Sequence, residues 1–111
     1  MSSRAYLGNF ELMVMLVLIR LGEDAYGIPI AHEIEVKGGR EVSLGSIYAT
    51  LERLEAKGLV SAKLGEPTPE RGGRAKRYFS VTGQGLKKVR QTQRILFRLW
   101  QGVSGLQGDM A

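Results

Sequence analysis

Residues 43–64 read SLGSIYATLERLEAKGLVSAKL, and the change of period inside this stretch decides the fold. Leu44, Ile47, Leu51 and Leu54 recur at spacings of three and four, the interval that stacks side chains along one side of an α-helix. Ser43 stands where its hydroxyl can accept from a backbone N–H of the first turn, and Gly58 follows as the stop. After Gly58 the period drops to two. Val60, Ala62 and Leu64 alternate with Ser61 and Lys63, the pattern of a half-buried strand. Opposite its apolar side the helix offers Ser43, Ser46, Thr50 and Arg53, with Gly45 and Ala49 nearby, a small and polar surface that another molecule can approach closely.

Downstream, Phe79 and Val81 alternate with Tyr78 and Ser80 and supply the second strand of a hairpin. The connection between the strands, residues 65–75, holds Pro67, Pro69, Gly72 and Gly73 and is long for a tight turn, so an extended, glycine-jointed loop is expected. Upstream, Asn9 is the expected N-cap of a first helix that runs to Leu21 and ends at Gly22. Residues 13–19 are apolar on all sides, and β-branched Val14, Val17 and Ile19 would suit a strand; length and caps decide for the helix. A second helix is expected from near Tyr26 to Lys37, closed by Gly38 and Gly39, with Ile30, Ala31 and Ile34 facing inward. Pro29 belongs in its first turn, where a missing N–H costs nothing. After the hairpin, Thr82 opens a last helix reaching about Gly102. Leu86, Val89, Leu96, Trp100 and Val103 follow a three-four alternation there, with Gln93 at the remaining seam position.

Helix, helix, helix, hairpin, helix is a mainly α fold with a small β-hairpin: a winged helix-turn-helix with a three-helix core and a two-stranded wing, plus a C-terminal dimerisation helix. Residues 1–81 are expected to form the winged domain, 82–104 the dimerisation helix and 105–111 a flexible tail. A chain of 111 residues supports one modest core, and its 43% hydrophobic and 24% charged content is that of an ordinary globular protein. Without cysteine, neither a disulfide framework nor a thiolate metal site can form, and the cytoplasm is the default compartment. The longest apolar run, residues 12–19, is under half of the roughly 20 residues a membrane helix needs, and it lacks the flanks of a signal peptide; no membrane partner is expected.

The net charge of +5 is unevenly placed. Residues 1–65 hold 7 Lys/Arg against 8 Asp/Glu, whereas residues 66–111 hold 9 against 3. A basic region of this kind suits a polyanion, either nucleic acid or an anionic membrane surface. Its densest part is RGGRAKR, residues 71–77, where Arg71, Arg74, Lys76 and Arg77 stand on the expected hairpin loop. Cations on such a tip can reach phosphates or a minor groove; a merely solvated basic loop is the plainer alternative. On the third helix, the hydroxyls of Ser43, Ser46 and Thr50 and the guanidinium of Arg53 suit phosphates or base edges, and Ala49 suits a thymine methyl. Tyr26 and Tyr48 can each serve the core with the ring while the hydroxyl reaches a phosphate. These residues are the candidate contacts to double-stranded DNA.

A lone amphipathic helix at the end of a small domain needs a partner. Leu86, Val89, Gln93, Leu96, Phe97, Trp100 and Val103 are therefore the candidate homodimer interface, in which Trp100 can be an anchor, a ligand-stacking platform or a core residue. Lys87, Lys88, Arg90, Arg94 and Arg98 form a basic run on the same helix, merely solvated or able to meet flanking DNA or an anionic membrane surface. His32 is the only histidine, no Ser/His/Asp order is found, and the glycine-rich loop lacks the lysine-hydroxyl ending of a phosphate-binding loop. Neither an enzyme nor a cofactor or metal is expected.

The segments LGNFEL (7–12), AYG (25–27), GSIY (45–48) followed by Leu51, RLE (53–55), GLV (58–60), RGGR (71–74), KRYF (76–79) and VTGQG (81–85) resemble, in this order and spacing, PadR-type transcriptional regulators. The resemblance runs from Leu7 to about Trp100. It implies a winged-helix repressor dimerised through its C-terminal helix, governing genes such as those for phenolic-acid detoxification or multidrug efflux, with Ser46, Tyr48 and the wing cations on DNA. A single helix after the wing places the chain with the short members, some of which hold flat hydrophobic compounds between interface tryptophans. Trp100 is the candidate for that role. The expected function is a repressor on a palindromic operator, released by a hydrophobic or aromatic small molecule. The alternative is a winged-helix protein-interaction module that does not bind DNA, which would carry an apolar outer face on its third helix.

Overall fold

A computed structural model of the chain describes residues 7–66, 76–103 and 105. Its elements are α1 (Asn9–Leu21), a 3-10 turn (Gly22–Asp24), α2 (Gly27–Gly38), α3 (Leu44–Ala56), β1 (Val60–Leu64), β2 (Arg77–Val81) and α4 (Gly83–Trp100). The strands pair antiparallel, with Val60 opposite Val81, Ala62 opposite Phe79 and Leu64 opposite Arg77. Of the expected wing loop, residues 67–75 lie outside the described residues, as does most of the expected tail at 105–111.

The helix ends follow local hydrogen bonding. Gly8, not Asn9, caps α1: its N–H donates to Glu11 Oε1 at 3.1 Å and its carbonyl accepts from Leu12 N–H at 2.9 Å. The carboxylate three residues on satisfies the cap backbone, which sets the start one residue early. Gly22 ends α1 at φ 61° and Gly39 ends α2 at φ 68°, conformations open to glycine at little cost. Ser43 Oγ accepts from Ser46 N–H at 3.1 Å to open α3. At α4, Thr82 Oγ1 accepts from Gly85 N–H at 3.0 Å and donates to the Gly58 carbonyl at 2.8 Å, so the cap also anchors the new helix to the end of α3.

Val14, Met15 and Leu18 of α1, Ile30 and Ile34 of α2, and Ile47, Leu51 and Leu54 of α3 form the core, closed by Leu59, Val60 and Phe79 from the hairpin side. Each such side chain contributes about 1.5–3 kcal/mol by leaving water. Two expected inward residues are exposed. Leu44 is 42% accessible because it opens α3 and is rotated away from Ile47 and Leu54, and Leu64 is 70% accessible because the hairpin extends past the helices after Ala62.

The buried residues of α4 are Gly85, Val89 and Thr92, all in its first ten residues. A Cβ at Gly85 would run into the Leu59 carbonyl and lie 2.8 Å from Val81 Cγ1, so glycine is what lets α4 begin this close to the hairpin. Val89 is 8% exposed and Thr92 3%. Thr92 Oγ1 accepts from Leu7 N–H at 3.2 Å and donates to the Lys88 carbonyl at 2.8 Å. Val89, expected in a dimer interface, thus belongs to the core of its own subunit, and Leu86 is half-buried. Beyond Thr92, Leu96, Phe97, Leu99, Trp100 and Val103 are all exposed, as are Leu16 and Ile19 on α1.

Replacing Thr82 by alanine removes the α4 cap and its bond to Gly58, and should lower the free energy of urea unfolding by about 1–2 kcal/mol, with T82S keeping most of it. Glu11 supplies a second expectation. Burial alone would raise its carboxyl, but the Gly8 amide and the Lys57 ammonium, which sits 3.0 Å away, hold it net below its ordinary value of 4.5. A carboxyl depressed in the native state adds stability above its unfolded value and loses it as pH falls through the native one. The stability advantage of the wild type over E11Q should therefore be present at neutral pH and shrink below about pH 4.5 in urea unfolding curves.

Candidate nucleic-acid interface

A helix advances about 100° per residue, which places Gly45, Ala49 and Glu52 at the centre of the outer face of α3, Ser46 and Arg53 on one flank and Tyr48 on the other. All six are exposed. Thr50 is not: it is 2% accessible, and its Oγ1 accepts from Arg53 Nη2 at 3.3 Å. The expectation that Thr50 faces outward with Ser46 is corrected here. Its position falls beside Ile47 and Leu54 on the wheel, and the close approach of neighbouring elements covers that sector. Ser43 is exposed but engaged, its Oγ accepting from Ser46 N–H and donating to Ser46 Oγ at 3.1 Å.

Tyr48 crosses from α3 to α2. A Cβ at Gly27 would collide with its hydroxyl, so the glycine makes room for the ring, which also lies 6.3 Å from the Phe79 ring between centroids. Tyr26 caps α2 through its backbone. Its ring meets Tyr78 edge-on at 5.3 Å, and Lys76 Nζ sits 4.6 Å above its face. The Phe79 N–H donates to the Ala25 carbonyl at 2.9 Å, which ties β2 to the segment that opens α2.

Arg77 points to the other side of β2. Its Nη2 lies 3.0 Å from Glu55 Oε1, and its guanidinium stacks 5.2 Å from the Phe79 ring centroid. The basic segment contains no acidic residue, but the fold brings one from α3. Both side chains are about two-fifths exposed, so the pair is worth at most about 1 kcal/mol and leaves Arg77 able to exchange partners. Arg71 and Arg74 lie outside the described residues. The fold therefore joins Ser46, Tyr48, Ala49 and Arg53 with Tyr26, Lys76 and Arg77 through a short chain of contacts, and removes Thr50. Sequence reading missed Glu52, Glu55 and the role of Gly27; a helical wheel would have found the first.

Elsewhere, an open groove of about 830 Å³ runs between the end of α1, the hairpin and the start of α4, with Leu18, Ile19, Val81 and Leu86 in its walls and no residue from α3. Among the described residues, no group of His, Asp and Glu is arranged to hold a metal ion, and no helix is long and apolar enough to cross a membrane.

The model of the transcriptional regulator PadR-like family matches residues 15–91. Among solved structures, a PadR-like transcription factor from Bacteroides fragilis is 27% identical with a TM-score of 0.69, over 81% of this chain and 82% of its own. A PadR family transcriptional regulator from Eggerthella lenta is 28% identical with a TM-score of 0.64, over 78% and 73%. A transcriptional regulator from Clostridium thermocellum, at 23% identity and TM-score 0.67 over 80% and 81%, shares the fold. No curated protein matches the chain.

G27A should displace the Tyr48 ring and cost about 1–3 kcal/mol in thermal unfolding, the range for an overfilled packed site. Y48F in the same chain removes the nearest of the atoms that would be struck, leaving Cζ 2.8 Å from the new methyl, and should recover part of the loss, visible as a non-zero coupling in the double-mutant cycle.

Proposed function

The chain belongs to the PadR-like family of transcriptional regulators, and on that premise we propose that it is a sequence-specific, double-stranded DNA-binding repressor acting in the cytoplasm as a homodimer on a palindromic operator. The observation that carries this reading is the contiguity of α3 with the base of the wing: Arg77 reaches Glu55 on α3, and Lys76 lies on Tyr26 at the start of α2. A helix offering Gly45, Ser46, Ala49 and Arg53 suits the major groove, and cations beside it suit the flanking phosphates. A protein-interaction module would need an apolar outer face on α3, and Leu44 is the one large aliphatic residue exposed there.

Residues 1–81 are the DNA-binding unit in this reading and 82–104 the dimerisation helix. Support for a second copy comes from Leu96, Phe97 and Trp100, apolar and exposed on one side of α4 beyond Thr92, with Gln93 beside them and exposed Val103 just past the helix end. A hydrophobic or aromatic inducer stacked on Trp100 would release the operator only by binding a DNA-incompetent arrangement of the dimer more tightly, since differential affinity alone shifts an equilibrium.

Affinity for a duplex selected by the purified protein should fall by roughly 0.9 log units per log unit of salt for each phosphate neutralised. R74A/K76A should weaken binding to all sequences alike and reduce that slope by about two phosphates, while S46A should change preference among sequences. Salt-insensitive binding, or an unchanged affinity in the wing double variant, would count against the proposal.

A further inference from the structure

Glu52 occupies the middle of the outer face of α3, three residues after Ala49 and four after Tyr48, yet no ion pair or hydrogen bond engages its carboxylate among the described residues. Three cations among the described residues near it in sequence or on the hairpin have other partners. Arg53 donates to Thr50, Lys57 pairs with Glu11 and Arg77 pairs with Glu55. A bare carboxylate on a surface that meets a polyanion is repelled by every phosphate it approaches, so it is unfavourable unless a donor awaits it. Base edges in the major groove carry such donors. Cytosine presents its N4 amino group, which a carboxylate accepts from; guanine and thymine present acceptors there, and adenine sets its amino group beside the N7 acceptor. Gly45 and Ala49, with no side chain beyond a methyl, let the helix backbone come close enough for a glutamate to reach a base.

We propose that Glu52 is a specificity-determining residue that accepts a hydrogen bond from the N4 amino group of one cytosine in each operator half-site, while its charge weakens binding to sequences lacking that donor. The assignment rests on the DNA-binding reading above. Because Glu52 is exposed and makes no hydrogen bond or ion pair among the described residues, its variants should keep the fold, which thermal unfolding of each checks.

The test is selection of duplexes from a random library by the full chain and by its E52A and E52Q variants, followed by sequencing and by titration of one selected and one unrelated duplex. The wild type should enrich a C·G pair at one position of each half-site. E52A should lose preference at that position alone, with discrimination there falling by roughly 5- to 100-fold, and should bind the unrelated duplex more tightly. E52Q should move the preference at that position toward adenine, which glutamine reads through N6 and N7. Identical preferences in wild type and E52A overturn the assignment, as does a uniform gain in affinity for all sequences, which would make the carboxylate a repulsive charge and nothing more. A wild type that enriches no sequence overturns the DNA-binding reading itself and the assignment with it, so the two failures are distinguishable.

Discussion

The geometry of the fold depends on one junction, where the end of α3, the start of β1 and the start of α4 share their backbone hydrogen bonds. Leu59 N–H donates to the Leu54 carbonyl at 3.0 Å and Thr82 N–H donates to the Leu59 carbonyl at 3.0 Å, while the Thr82 hydroxyl donates to the Gly58 carbonyl. Gly85 lies against that same Leu59 carbonyl with no room for a methyl. Three elements meet where few atoms can move independently. The outward face of α3, the base of the wing and the direction in which α4 departs are consequently set by one local arrangement.

A second set of contacts fixes the opposite end of α3. Ala25, Tyr26 and Gly27 supply a carbonyl for Phe79, a ring for Tyr78 and Lys76, and a gap for Tyr48. Aromatic edges and cation–π contacts of this kind are each worth about 0.5–1.5 kcal/mol, modest beside the core, but they are directional. They hold β2 against the first turn of α2 while the apolar residues of α3 hold it against α1 and α2. A tripeptide that would pass for an ordinary helix start is thus the place where the wing is registered against the helices.

Periodicity made the elements legible: the three-four spacing of Ile47, Leu51 and Leu54 and the alternation around Phe79 each define a direction toward the core, and the structure follows both. Periodicity does not say how wide a sector of a helix its neighbours cover. Thr50 is buried because coverage extends past the apolar stripe, and Leu44 is exposed because coverage stops short at the first turn. Val89 shows the same effect on α4, where one seam, apolar except at Gln93, is divided between the subunit's own core and an exposed surface. Contacts between residues far apart in sequence carried no local signal at all. Arg77 finds Glu55 across 22 residues and Thr92 finds Leu7 across 85, and nothing near either partner announces the other.

The division of α4 bears on how a dimer of this chain would work. Its first turns are fastened to the junction at Leu59 and to Leu7, so they move with α3 as one body. Leu96 and Phe97 in its last turns, and Val103 just beyond them, are exposed. If a second copy packs on those residues, the angle between the paired helices alone sets the separation and tilt of the two α3 helices, because little lies between to absorb a change. A shift of a few degrees near Trp100 is multiplied along the length of the helix and arrives at α3 as a displacement, and a pair of half-sites one helical turn apart tolerates little displacement. In such a dimer a compound bound at the far end of α4 would need only to alter a packing angle, and the fastened first half of the helix would deliver the consequence to the outer face of α3.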